Sequence, residues 1–158
     1  MANIAQLVNN LHSLFLADGD RFMTTPTFHV YEIYKPHQGA RAVRIAVQAP
    51  EVAFRAAGKD RKLFRLAGSA SVKGKDLTLT LVHTHVTEPA EISIQLRDGK
   101  ASEGIQQTVL THEKLNAHNT FENPNQVMPK TTTLKSSGSS VKCVLPPASI
   151  TRMDLRLV

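Results

Sequence analysis

The chain has 158 residues, 41% of them hydrophobic and 5% aromatic, enough apolar side chain for one domain with a real core. No run approaches the roughly 20 consecutive apolar residues that a membrane-spanning helix needs, so a helical span is excluded. Nineteen Lys and Arg against thirteen Asp and Glu give a formal charge of +6. The basic residues are scattered or in short groups (Lys59, Arg61, Lys62 and Arg65), without the aromatic platform of single-strand binders, and read as a solvated surface rather than a nucleic-acid site.

The chain opens MANIAQLVNN, with Met1, Ala2, Ile4, Ala5, Leu7 and Val8 apolar and Asn3 and Gln6 among them. Termini are usually solvated, so this start reads as an element cut from something larger. It has no basic n-region, and Asn9, Asn10 and His12 interrupt any signal-like apolar run. With a lone cysteine, Cys143, there is no internal disulfide framework, and the expected compartment is cytoplasmic. Residues 4–15 leave two readings open: Ile4, Leu7, Val8, Leu11 and Phe15 have helical spacing, while MANIA fits a short buried strand. Thr24-Thr25-Pro26 is a helix start, with Phe28, Tyr31 and Tyr34 striping one face and Pro36 and Gly39 ending it. Residues 27–34 are also rich in strand-forming types; the cap favours helix.

From about residue 42 the period becomes two. Val43, Ile45 and Val47 alternate with Arg44, Ala46 and Gln48; Leu77, Leu79 and Leu81 with Thr78 and Thr80; Ile92, Ile94 and Leu96 with Ser93 and Gln95. Val141, Cys143 and Leu145, then Met153, Leu155 and Leu157, repeat the pattern. Lys73-Gly74-Lys75, Asp98-Gly99 and Ser136-Ser137-Gly138-Ser139 supply turns between them. Short strands with one wet and one buried face, joined by turns and not by helices, predict an antiparallel β-sandwich or barrel.

Candidate chemistry is sparse. His83 and His85, two apart on a predicted strand, have the spacing of a metal-ligand pair, but nothing nearby supplies further ligands and they end an inward row of leucines. No metal or cofactor is expected. Cys143, on an apolar strand face, is a core residue and a poor nucleophile. Neither a G-x-S-x-G elbow nor a phosphate-binding glycine loop occurs, and carboxylate spacing selects no acid–base pair. The segment LNAHNTFENPNQVMP, residues 115–129, gathers Asn116, His118, Asn119, Asn123 and Asn125 around Phe121. Such side chains hydrogen-bond their own backbone and predict an ordered loop, which covers a sandwich edge or packs on another domain. The competing reading is sugar binding through the amides and His118.

MANIAQLVN, TPTFHVYEIYKPHQ, LNAHNTFENPNQV and LPPASI, in that order, make the chain resemble the C-terminal third of α-L-arabinofuranosidases of glycoside hydrolase family fifty-one. The likeness spans nearly the whole chain and is weakest over residues 48–74, which read as a variable loop and strand. The resemblance implies a mainly β fold: an antiparallel β-sandwich of jelly-roll type over residues 40–158, preceded over residues 1–39 by a strand and helix left over from a catalytic (β/α)8 barrel. It places MANIAQ as the eighth barrel strand and TPTFHVYEIYK as the last barrel helix. It further implies retaining hydrolysis of terminal α-L-arabinofuranosyl groups in arabinan or arabinoxylan by two glutamates on earlier barrel strands, neither of which lies in these residues. The one functional residue it carries over is Gln6, the glutamine that ends the eighth strand and contacts arabinose. Expected partners are the barrel, an arabinose-containing poly- or oligosaccharide through the full enzyme, and further copies in a homo-oligomer, with neither nucleic acid nor membrane. The alternatives are a stand-alone carbohydrate-binding sandwich, against which the absence of Trp counts, and a structural or oligomerisation module. A barrel remnant would expose apolar surface, so Phe28, Tyr31, Ile33 or Leu7 is expected to form a patch or to pack on the sandwich or a second copy.

Overall fold

The computed structural model describes Ile4 and residues 6–158. Every pairing between its strands is antiparallel. The strands are β1 (Phe15–Asp18), β2 (Arg21–Thr24), β3 (Arg41–Val43), β4 (Glu51–Ala56), β5 (Lys59–Phe64), β6 (Leu66–Lys73), β7 (Asp76–His83), β8 (Ala90–Gln95), β9 (Ile105–Leu110), β10 (Lys130–Leu134), β11 (Ser140–Leu145) and β12 (Ser149–Arg156). One helix, α1 (Pro26–Tyr34), runs into a 3-10 turn over Lys35–His37. Among the described residues no helix is long and apolar enough to cross a membrane.

Six strands form the large sheet in the order β10-β9-β12-β7-β6-β3, and β11 pairs with β8 opposite it. The chain changes sheet from β7 to β8, back to β9, again from β10 to β11, and back to β12. This makes an antiparallel β-sandwich. The register explains its core. Leu77, Leu79 and Leu81 of β7 stand level with Leu155, Met153 and Thr151 of β12, all on the inner face. Val141, Cys143 and Leu145 of β11, level with Ile94, Ile92 and Ala90 of β8, pack against them. Met153, Val141 and Leu145 are wholly buried.

The outer face of the large sheet is polar yet also buried. Thr80, Ser71, Thr78 and Thr108 are covered there because the helical segment lies across it. His37 bridges the two layers, one ring nitrogen 2.7 Å from Ser71 Oγ and the other 2.8 Å from Thr80 Oγ1. Arg152 donates to Asp154 and to the Glu32 carbonyl oxygen of α1. Toward one end the contact turns apolar: Ile33 packs with Leu110 and Val127, flanked by Val30, Tyr34 and Ile150. Burying Ile33 alone is worth about 2–3 kcal/mol. The helix begins where Thr25-Pro26 predicts, but the Thr25 hydroxyl does not cap it and donates instead to the Ser13 carbonyl oxygen at 2.7 Å.

Three sequence expectations are corrected. The alternation of Val43, Ile45 and Val47 predicts one strand, but β3 ends at Val43 and Val47 is exposed. Beyond Val43 the chain leaves the sheet edge, and Ile45 rests its Cδ1 over Gly68 of β6. Residues 48–74, read as a loop and strand, contain the β4–β5 hairpin as well as β6. Within residues 4–15, Ile4 and residues 6–14 take neither helix nor strand, apart from a bridge between Val8 and Phe15. Asn9 and His12 adopt positive φ there, and the Asn9 amide pairs with both backbone groups of Ala17 at 2.8 Å, replacing a helical ladder. For the predicted barrel strand MANIAQ, Ile4 and Gln6 are outside any strand and the other four residues lie outside the described ones.

Candidate functional site

Gln6 is exposed and immediately precedes Leu7, whose carbonyl oxygen accepts the amides of Leu14 and Phe15. The fold thus sets Gln6 beside the β1–β2 hairpin. That hairpin turns tightly at Gly19-Asp20, with Phe15 level with Thr24 and Asp18 with Arg21. Phe15 and Phe22 share one of its faces, with ring centroids 5.2 Å apart, and Phe28 of α1 stands 5.3 Å from Phe15. Phe22 is 62% exposed, Leu7 56% and Leu11 83%. Of the residues expected to form an apolar patch or to pack, Leu7 is exposed and Ile33 packs on the sandwich. The signal for the hairpin was present in sequence as FLADGDRFMT, a Gly-Asp turn flanked by Asp18 and Arg21, with the apolar triplet Phe15-Leu16-Ala17 on one side and the pair Phe22-Met23 on the other.

The asparagine-rich loop is a brace. Asn119 is buried, donates to the carbonyl oxygens of Thr24 (3.2 Å) and Val127 (3.3 Å), and accepts the Val127 amide at 2.7 Å. Thr120 and Asn123 close a backbone turn on each other, and Phe121 lies under the Arg21 guanidinium, 4.5 Å from its centroid. Arg21 also pairs with Asp18 and, at 3.4 Å, with Glu122. The loop thus ties itself to the β1–β2 hairpin. Asn116 and His118 are exposed, and His118 Nδ1 donates to the Asn116 carbonyl oxygen.

The two histidines meet as a parallel pair, ring centroids 6.5 Å apart. His83 is buried, and its Nδ1–H donates to the Pro146 carbonyl oxygen at 2.9 Å, which fixes its tautomer and leaves Nε2 buried without a partner among the described residues. His85 Nδ1 accepts the Glu88 amide, so its proton stands on Nε2, 3.6 Å from the Glu88 carboxylate. Among the described residues, no three His, Cys, Asp or Glu side chains converge as metal ligands. Cys143 is buried beside Met153, and burial pushes its thiol up to about 11. That makes it a poor nucleophile at neutral pH. Burial also lowers the pKa of His37, with Asp154 opposing and Arg152 reinforcing, so the ring bridges Ser71 and Thr80 in its neutral form. Nearby, Lys35, Gln38, Ser71, Lys73, Asp76 and Thr78 line a groove of about 300 Å³.

The pattern that defines the α-L-arabinofuranosidase C-terminal domain matches residues 1–149. The chain belongs to this family. It is 34% identical, over 99% of its length, to an intracellular exo-α-L-arabinofuranosidase of Bacteroides ovatus, but covers only 30% of that protein. The arabinofuranosidase C-terminal fold also superposes on the family 51 arabinofuranosidase of Xanthomonas axonopodis pv. citri. There the TM-score is 0.86 at 31% identity, over 99% of this chain and 31% of that one. The α-L-arabinofuranosidase of Thermotoga maritima, solved as an arabinose complex, has the same fold at a TM-score of 0.83 and 23% identity, over 97% of this chain and 33% of that one. This arabinofuranosidase domain therefore spans about a third of the length of the relatives it matches.

Proposed function

We propose that the chain serves as the C-terminal sandwich of a retaining α-L-arabinofuranosidase acting on terminal arabinofuranosyl groups of arabinan or arabinoxylan. The carrying observation is the match along 99% of this chain that occupies only 30% of the Bacteroides ovatus relative. In this reading residues 1–39 are the last strand and helix of the catalytic barrel, and residues 40–158 are the sandwich that buttresses it. The two glutamates that act on the glycosidic bond stand on barrel strands upstream of these residues. Gln6, outside any strand in this chain by itself, would end the eighth strand once the barrel supplies its neighbours, and its amide would both donate to and accept from arabinose hydroxyls. The exposed apolar surface of Leu7, Leu11 and Phe22 supports this reading, because a barrel wall would cover it. The lone cysteine and the intracellular relative support a cytoplasmic location, and the sandwich would also contribute to a homo-oligomer of the full enzyme.

The buried amide of Asn119 disfavours the alternative of a stand-alone sugar-binding loop, since its hydrogen-bonding capacity is spent within the fold. The test is hydrolysis of a nitrophenyl α-L-arabinofuranoside by the purified 158-residue chain. None is expected. Turnover abolished by replacing a carboxylate within the chain would overturn the proposal.

A further inference from the structure

The β4–β5 hairpin forms a sheet of its own. Isolated two-stranded hairpins are marginal in water, so one this exposed asks for a partner. Its turn, Ala57-Gly58, has positive φ at both residues, the geometry that closes a tight hairpin. Residues directly opposite each other across an antiparallel pair share a face. The register therefore puts Val52 and Leu63, Phe54 and Arg61, and Ala56 and Lys59 on one face. The other carries Glu51 and Phe64, Ala53 and Lys62, and Arg55 and Asp60.

The two faces differ in charge. On the second, Lys62 pairs with Glu51 at 2.8 Å and Arg55 stands opposite Asp60, so the charges cancel. The first has two cations, Lys59 and Arg61, and no acid. Phe54 and Leu63 are nearly half exposed on it. Arg65, at the hairpin base, is not available to a ligand, because Glu88 and the Pro89 carbonyl oxygen hold it.

We propose that the Phe54–Arg61 face binds a uronate-bearing glycan, an inference that rests on the arabinofuranosidase reading above. An aromatic ring face takes the apolar C–H face of a sugar by dispersion and by its negative quadrupole. An Arg fork beside it takes a carboxylate through paired charge-assisted hydrogen bonds. Four apolar residues with two cations match a ligand that is mostly uncharged sugar surface with occasional carboxylates. A phosphodiester chain, charged at every residue, would find only two counter-charges here, and its binding would depend on salt with a slope of only about −1.4.

The test is affinity electrophoresis of the full chain in gels containing glucuronoxylan, neutral linear arabinan, polyglutamate or oligothymidylate. Glucuronoxylan, a neutral sugar backbone with scattered glucuronates, is expected to retard the chain most. Phe54→Ala and Arg61→Ala each raise the polymer concentration for half-retardation by about fivefold or more. Lys62→Ala, an equal change of net charge on the opposite face, leaves it unchanged, and circular dichroism confirms that each variant folds. Equal retardation by polyglutamate, stronger retardation by oligothymidylate, equal loss in Lys62→Ala and Arg61→Ala, or no retardation at all would each overturn the proposal. A chimaera carrying this chain behind a family barrel separates the two readings. Hydrolysis of neutral arabinosides without uronate binding defeats only the hairpin assignment, and no hydrolysis defeats the arabinofuranosidase reading itself.

Discussion

Replacing Asn119 with alanine removes the single side chain that joins the loop over residues 115–129 to both Thr24 and Val127. Its amide makes three hydrogen bonds at 2.7–3.3 Å in a site only 3% exposed. Truncation orphans the buried Val127 amide and takes a donor from the Thr24 and Val127 carbonyl oxygens. At about 1–3 kcal/mol per buried unsatisfied group, the expected loss is about 3 kcal/mol. For a domain of this size that lowers Tm by about 6–12 °C. Urea denaturation followed by circular dichroism reads the change directly. Asn119→Asp sharpens the test. Its carboxylate keeps an acceptor for Val127 but turns a second oxygen toward the Thr24 and Val127 carbonyls, so the charged form is disfavoured and the folded-state pKa rises. The Asp variant is expected to be at least as unstable as the Ala variant at pH 7, and to regain stability relative to wild type as falling pH protonates the carboxyl. A loss below about 0.5 kcal/mol in Asn119→Ala would refute the brace and return the loop to the candidates for ligand binding.

Gly68→Ala places a Cβ 2.8 Å from Leu81 Cδ2 and 3.1 Å from the Thr80 carbonyl oxygen, so it is expected to cost about 1–3 kcal/mol in the same assay. The Cys143 thiol, pushed up to about 11, is expected to resist a disulfide reagent at pH 8 in the native state and to react fully in urea. Burial lowers the pKa of both His29 and His37, so the folded state binds fewer protons than the unfolded chain below the ordinary histidine value. Their stabilising contribution is complete above that value, near 6.5, and is lost as pH falls through it toward the folded values. Denaturation midpoints measured between pH 8 and pH 5 are expected to fall, and His37→Gln is expected to fall less steeply. Leu11→Ser is expected to cut binding of an apolar dye without lowering Tm, since its side chain is exposed, whereas Phe22→Ser also loses the stack on Phe15 and is expected to lower Tm slightly.

The sandwich was legible wherever one strand face is buried and the other contrasts with it. Leu77, Leu79 and Leu81 between threonines, and Met153 and Leu155 between charged residues, announce β7 and β12. β9 hides because its inner face carries Gln107 among apolar neighbours and its outer face carries Thr108, both buried. Since α1 covers that outer face, burial there follows no period of two. β4 and β5 bury neither face, so no alternation reaches the sequence. The spacing of Leu7, Leu11 and Phe15 imitates a helix but spans a loop that the Asn9 side chain pins to Ala17. The asparagine-rich loop was recognisable as ordered. Which asparagine holds it was not, because that depends on Thr24, 95 residues away along the chain. Gln6 came from the family resemblance alone; local pattern does not separate it from any exposed glutamine.

In the proposed function this chain completes a barrel whose chemistry lies elsewhere. The most direct test exchanges the corresponding C-terminal part of the Bacteroides ovatus relative for this chain and measures kcat/KM on a nitrophenyl α-L-arabinofuranoside. An active chimaera is expected, in which Gln6→Ala lowers kcat/KM about tenfold, the loss of one or two hydrogen bonds to sugar, without a change in Tm. A chimaera that folds and stays inactive, or one indifferent to Gln6, would contradict the proposed function.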